Sequence, residues 1–409
     1  MRTDLVTVLD LGNQSATCLA AEPTDRGWRV VGHHTVPSKG MRRGLVADQE
    51  EAGQTVAAAL RGLTAKTGLE PESLVVGVGG AHVEGHAAQG FVPIIPPGRA
   101  VQREDVLQVV NHSRQILIPP DREQIQALPR EFRIDGQRGV QQPIGKRGSQ
   151  LEVLTLILTG QSAQLQSLER TVSANGLRVE QMVVKGLASG LGVLSQEARE
   201  RGAVVVDVGA GSTEVAVFAD GVLVYAASIP LGSELVTSDV SKLVQTSFEE
   251  AERLKVQHGS AWATAVDKAD VVDVLQLGHT QLRPMRRRVL CEIIESRMRE
   301  IAGFVRQHVE RSGFGAQSGL PIVLTGRGAL IDGLTELFQD VFDGARASVA
   351  APSAVGLGGT RADRMGLAVA WGLAAFAIES RENELVPASG GNGWRDRIRT
   401  FWSLLGGRS

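Results

Sequence analysis

Short apolar runs of strand length punctuate this chain, and two of them end in the same way. Leu5-Val6-Thr7-Val8-Leu9 runs into Asp10, and Val204-Val205-Val206 runs into Asp207. Glycines and small polar residues follow each aspartate: Gly12, Asn13, Gln14 and Ser15 in the first case, Gly209, Gly211, Ser212 and Thr213 in the second. A further apolar run, 16–21 or 215–218, comes after each. The pattern predicts strand, tight turn, strand, twice over. A third block, Ile322-Val323-Leu324-Thr325 followed by Gly326, Arg327 and Gly328, predicts a strand, a glycine turn and a helix start.

Between these blocks the period changes to that of helices. Helices are predicted at 48–66, 162–175 (closed by Gly176), 187–196, 330–342 and 364–379, with strands at 73–78 and 178–184. Residues 81–164 read as a small inserted α+β unit: a strand at 83–93, a helix at 103–115, and strands at 131–134 and 151–159 around a glycine- and glutamine-rich loop. Residues 239–311 read as a second insertion, helical at both ends over 248–257 and 286–311. Arg283, Arg286, Arg287 and Arg288 mark a solvated helix start there. Residues 381–393 are polar and carry three glycines, which predicts a flexible linker.

With 409 residues, the chain has material for two to four domains. A net charge of −2 gives no nucleic-acid footprint. Cys18 and Cys291 form neither a disulfide framework nor a metal spacing, which fits a reducing compartment. Met1 leads almost directly into a strand, so no signal peptide is expected. No apolar run reaches the roughly 20 residues that span a bilayer.

The turn chemistry suits a phosphate. Glycine lets the backbone approach a ligand closely, turn N–H groups and hydroxyls cradle anions, and an aspartate holds a hydrated cation. A dinucleotide fold or P-loop would place a helix after the glycines, and here a strand follows. An ordinary glycine-rich hairpin accounts for any one of these blocks. The order and spacing of all three instead suggest a duplicated core with a nucleotide between its halves.

That arrangement resembles the actin and heat-shock-chaperone ATPase superfamily. Within it, local matches resemble the FtsA family of bacterial cell-division proteins: 36–41 with Gly44 and Asp48, 90–94, 128–135 with 143–145, 186–189, 236–240 and 251–259. The resemblance implies an α/β, actin-like duplicated ribonuclease-H-like core. One half would comprise 1–80, 165–200 and 361–378, the other 201–238 and 312–360. Residues 81–164 would be the family's inserted subdomain, contacting other division proteins. Residues 239–311 would bind the C-terminal tail of FtsZ. By the same resemblance Asp10 and Asp207 would face Mg²⁺ through water. Gly12, Asn13, Gln14, Ser15, Gly209, Gly211, Ser212 and Thr213 would line the phosphates of ATP, with Gly326, Arg327 and Gly328 near the base. The family usually carries lysine at the Ser15 position and glycine at the Arg327 position. Lys185 lies where some relatives place a residue that orients the attacking water, and a lysine is a poor general base. No catalytic residue is therefore assigned, and at most weak ATP hydrolysis is expected.

At the C-terminus, Trp394, Ile398, Phe401, Trp402 and Leu405 fall within a helical arc of about 100°. Arg395 and Arg397 flank that arc. The composition predicts an interfacial amphipathic helix over 394–409, after a linker at 379–393, that binds an anionic membrane surface. Together these features imply a self-assembling adaptor on the cytoplasmic side of the inner membrane at the septum. Two alternatives remain open: a PilM-like pilus assembly protein, and a small-molecule kinase of the same superfamily.

Overall fold

The computed structural model describes residues 5–24, 27–315, 319–353 and 357–382. Two five-stranded sheets repeat one topology. In the first, the strands run in the order Gly27–Pro37, Ser15–Thr24, Val6–Leu11, Ser73–Val78, Arg178–Val184. In the second they run Val222–Ile229, Thr213–Ala219, Ala203–Val208, Ile322–Thr325, Ala347–Val349. Each sheet has an antiparallel meander of three strands on one side and two parallel additions on the other. Strand-by-strand equivalence of this kind is what a duplicated α/β core requires.

Alternation along the central strand of the second sheet sends its side chains to two different cores. Val205 packs in the cluster built around the first sheet, while Val204, Val206 and Val208 pack in the cluster built around the second. Two helices, Lys185–Val193 and Ala368–Glu382, contribute to the first cluster. Glycines bring them into close contact. A Cβ at Gly372 would lie 1.7 Å from the Ala188 carbonyl oxygen, and one at Gly192 would lie 2.2 Å from that of Ala368.

Residues 84–161 form a separate four-stranded sheet in the order Glu84–Pro93, Gln150–Gln161, Arg122–Ile134, Gln137–Val140, with the helix Arg103–Ser113 against it. The sequence predicts a strand only from residue 131, but the structure begins it at Arg122. Pro129 reads as a break, and the register shift opposite Leu154 and Thr155 is where the sheet accommodates it. Residues 283–286 are also a strand, not a helix start: Arg283–Arg286 pairs antiparallel with Val271–Val274, and the helix begins at Arg287. Two further helices are shorter than predicted. A tight 3₁₀ turn at Arg327–Leu330 and Gly333 at φ 73° delay one helix to Leu334–Val341. The last helix is split into Arg361–Met365 and Ala368–Glu382 around Gly366. None of the described helices is long and apolar enough to cross a membrane.

Candidate functional site

The two Asp-x-Gly turns close with the same hydrogen bond. Gly12 N donates to the Ser15 carbonyl at 3.0 Å, and Gly209 N donates to the Ser212 carbonyl at 3.0 Å. In each, a Cβ on the glycine would meet that carbonyl oxygen at 2.9 Å. The turns also meet one another. A Cβ at Gly211 would lie 2.1 Å from Asn13 Nδ2, while Asn13 Oδ1 accepts from Gly44 N at 2.9 Å. Two loops about 200 residues apart in the chain are thus brought together by the equivalence of the two sheets.

A cleft of about 100 Å³ lies at this junction. From the first turn, Asp10, Gly12, Asn13, Gln14 and Ser15 line it. Asp207, Gly209, Gly211 and Ser212 face them from the second, and Gly326 and Arg327 come from the third glycine block. Thr213 stands outside the cleft: it is fully buried, and its hydroxyl donates to the Leu231 carbonyl at 2.8 Å. Gly328 lines a neighbouring cavity instead. Gly326 adopts φ 79°, and a Cβ there would come within 2.2 Å of Asp207 Oδ1. This third turn is therefore packed directly against the second aspartate.

Sequence reasoning left out Glu214 and did not foresee the partners of Lys185. Lys185 is the first residue of its helix, and its ammonium lies 2.8 Å from Asp10 Oδ1 and donates to the Leu11 carbonyl at 2.8 Å. Burial alone pulls its pKa down; the charges of Asp10, Glu214 and Asp207 outweigh that and hold it above the ordinary lysine value. Asp207 and Glu214 sit directly opposite each other on paired strands. Glu214 Oε1 accepts from Ser212 Oγ and Ser228 Oγ, each at 2.9 Å, while Oε2 is buried with no hydrogen-bond partner. Burial raises the Glu214 pKa. Burial, then Asp10 and Glu214, push Asp207 up to about 7.

These residues do not fit the divalent ion that the superfamily likeness implies. Asp10 is already ion-paired with a permanent ammonium, which would repel a second cation beside it.

The neighbouring cavity, about 410 Å³, shares Gln14 and Arg327 with the cleft. Its other walls include Ser233, Glu252, Lys255, Leu330 and Ile331. Lys255 Nζ is held by Thr237 Oγ1 at 2.8 Å and pairs with Glu252 Oε2 at 2.6 Å. A signal for these two was present in the sequence, since they fall in the 251–259 match, but nothing in that run specified a role. Trp394, Arg395, Arg397, Ile398, Phe401, Trp402 and Leu405 lie outside the described residues.

Comparison with known proteins gives this geometry a family. "Cell division protein FtsA" matches residues 204–370, and "SHS2 domain inserted in FTSA" matches residues 80–159. The chain is 33% identical over 356 residues to the cell division protein FtsA of Streptococcus pneumoniae serotype 2, covering 87% of this chain and 77% of that one. It is 30% identical over 340 residues to the FtsA of Neisseria meningitidis serogroup B, covering 83% and 82%. Among solved structures, a PilM-PilN type IV pilus biogenesis complex shares the fold with TM-score 0.63 at 16% identity, covering 93% of this chain and 100% of that one. MreB5 of Spiroplasma citri bound to ADP shares it with TM-score 0.54 at 12% identity, covering 94% and 100%. The fold is thus actin-like, and with one third of the aligned residues identical across most of a curated relative, the chain belongs to the FtsA family of cell division proteins.

Proposed function

We propose that this chain is an ATP-binding division adaptor, assembling into actin-like filaments that tether FtsZ to the cytoplasmic face of the inner membrane. The observation that carries the reading is the meeting of the two equivalent turns at Asn13 and Gly211. Backbone N–H groups from both turns then serve the phosphates, and the adjoining cavity offers the apolar walls and the Glu252–Lys255 pair that a purine nucleoside needs. Solved MreB5 structures titled as bound to ADP and AMPPNP support a nucleotide in a fold of this kind. Lys185, ion-paired with Asp10, is a poor general base, and at most weak hydrolysis is expected.

The other parts of the reading rest on family membership and on surface character. Within 239–311, Leu243, Phe248, Val256, Val271, Leu275 and Leu277 are large apolar side chains left exposed, alongside the exposed Arg283 and Arg286. That surface suits the partly acidic FtsZ tail. Phe91, Ile95 and Ile144 are exposed on the unit at 84–161 and offer a place for other division proteins. A single 394–409 segment, with the amphipathic pattern its sequence carries, would anchor weakly, and many on one filament would anchor firmly through effective concentration.

Calorimetric titration of the full chain with ATP tests the reading. Saturable binding at one site per chain, with no phosphate transferred to sugars or small acids, is the expected result. Phosphotransfer would move the protein to the kinase class, and absence of binding would remove the nucleotide from the account.

A further inference from the structure

We propose that the Lys185 ammonium is a built-in replacement for the divalent cation, so that the cleft takes a nucleotide triphosphate without Mg²⁺. The inference rests on the reading that this cleft holds a nucleotide.

The lysine is placed deliberately. It is the first residue of the helix Lys185–Val193, where the helix dipole disfavours a cation. Its stem runs along the end of the strand Ser73–Val78, past two glycines. A Cβ at Gly77 would come 3.3 Å from Lys185 Cγ, and one at Gly79 would come 3.2 Å from Lys185 Cδ and 2.8 Å from Glu214 Oε1. Side chains at either position would crowd the stem, and at Gly79 would also press on the neighbouring carboxylate.

The head group is fixed at the foot of the first turn. It donates to the Leu11 carbonyl and is ion-paired with the Asp10 carboxylate, the two residues that precede Gly12. An ammonium has three N–H donors, and these two partners can take at most two of them. The third remains for a phosphate oxygen in the cleft that Lys185 itself lines. Ser15, Asn13 and Gln14 bring hydrogen-bonding groups to that turn but no charge. A divalent ion between Asp10 and Asp207, even one held through water, would sit beside the ammonium already paired with Asp10 and be repelled by it.

The test compares ATP affinity of the full chain in Mg²⁺ and in EDTA, for the wild type and for Lys185→Gln and Lys185→Met. The wild type is expected to keep its affinity within about threefold between the two buffers. Both variants are expected to lose about tenfold or more in EDTA and to recover when Mg²⁺ is added. A wild-type loss of about tenfold in EDTA overturns the replacement and leaves the nucleotide reading standing. Variants that match the wild type in EDTA overturn it as well. No binding in either buffer removes the nucleotide reading and the inference together. The wild-type pair of titrations is decisive even if a variant fails to fold.

Discussion

Lys185 Nζ lies 2.8 Å from Asp10 Oδ1, so an ion pair joins the first turn of a helix to the end of the first strand at the floor of the cleft. Both side chains are largely shielded from water, at 10% and 16% exposure. Removing one member of such a pair strands the other and typically costs about 3 kcal/mol or more. Lys185→Met should lower the unfolding free energy by about that amount. The double variant with Asp10→Asn should be less destabilised than the sum of the two single changes. A double-mutant cycle by urea unfolding measures this directly, and strict additivity would mean the pair contributes no coupling.

Asp207 gives the stability a pH dependence of definite sign. Its folded pKa, about 7, lies above the ordinary aspartate value because burial and then Asp10 and Glu214 disfavour the charge. The folded state therefore holds more protons than the unfolded chain between about pH 4 and 7, and stability falls as pH rises through that window. Above the window the penalty is complete, on the order of 4 kcal/mol for an isolated group. Asp207→Asn should flatten the slope between pH 4 and 7 and make the protein more stable than wild type at pH 8. Chemical denaturation across that range reads both effects.

The glycine contact between the helices Lys185–Val193 and Ala368–Glu382 predicts a loss of stability through packing alone. A Cβ at Gly372 would overlap the Ala188 carbonyl at 1.7 Å, and backbone cannot move aside as a flexible side chain can. Gly372→Ala should destabilise by about 2 kcal/mol through overpacking, despite the higher helix propensity of alanine. A melting temperature equal to the wild type would show that the helices separate at little cost.

Gly326 joins backbone conformation to the site. At φ 79° and ψ 162°, a region essentially reserved for glycine, an alanine is strained by about 1–3 kcal/mol, and its Cβ would press on Asp207 Oδ1. Gly326→Ala should be modestly less stable and should bind ATP about tenfold more weakly. Binding at wild-type strength would place the nucleotide away from this turn.

The strand–turn–strand blocks were legible because local chemistry writes them: an apolar run, an aspartate, then glycine. That Asn13 would meet Gly211 follows from the equivalence of two whole sheets, which no local window contains. Glu214 was missed because the strand Thr213–Ala219 is buried along nearly its whole length. Alternation therefore gave no sign of which face it lines. Lys185 was visible as an anomaly, but its partners Asp10 and Leu11 come from the far end of the chain. The strand at Arg283–Arg286 was hidden by Pro284, a residue that edge strands tolerate.

Vesicle flotation with anionic lipid, using FtsZ from the same cell as reporter, tests the adaptor most directly. The full chain is compared with one ending at Val386. The account predicts that FtsZ rises with the vesicles only when the full chain is present. A full chain that stays at the bottom, or one that rises and leaves FtsZ behind, would contradict it.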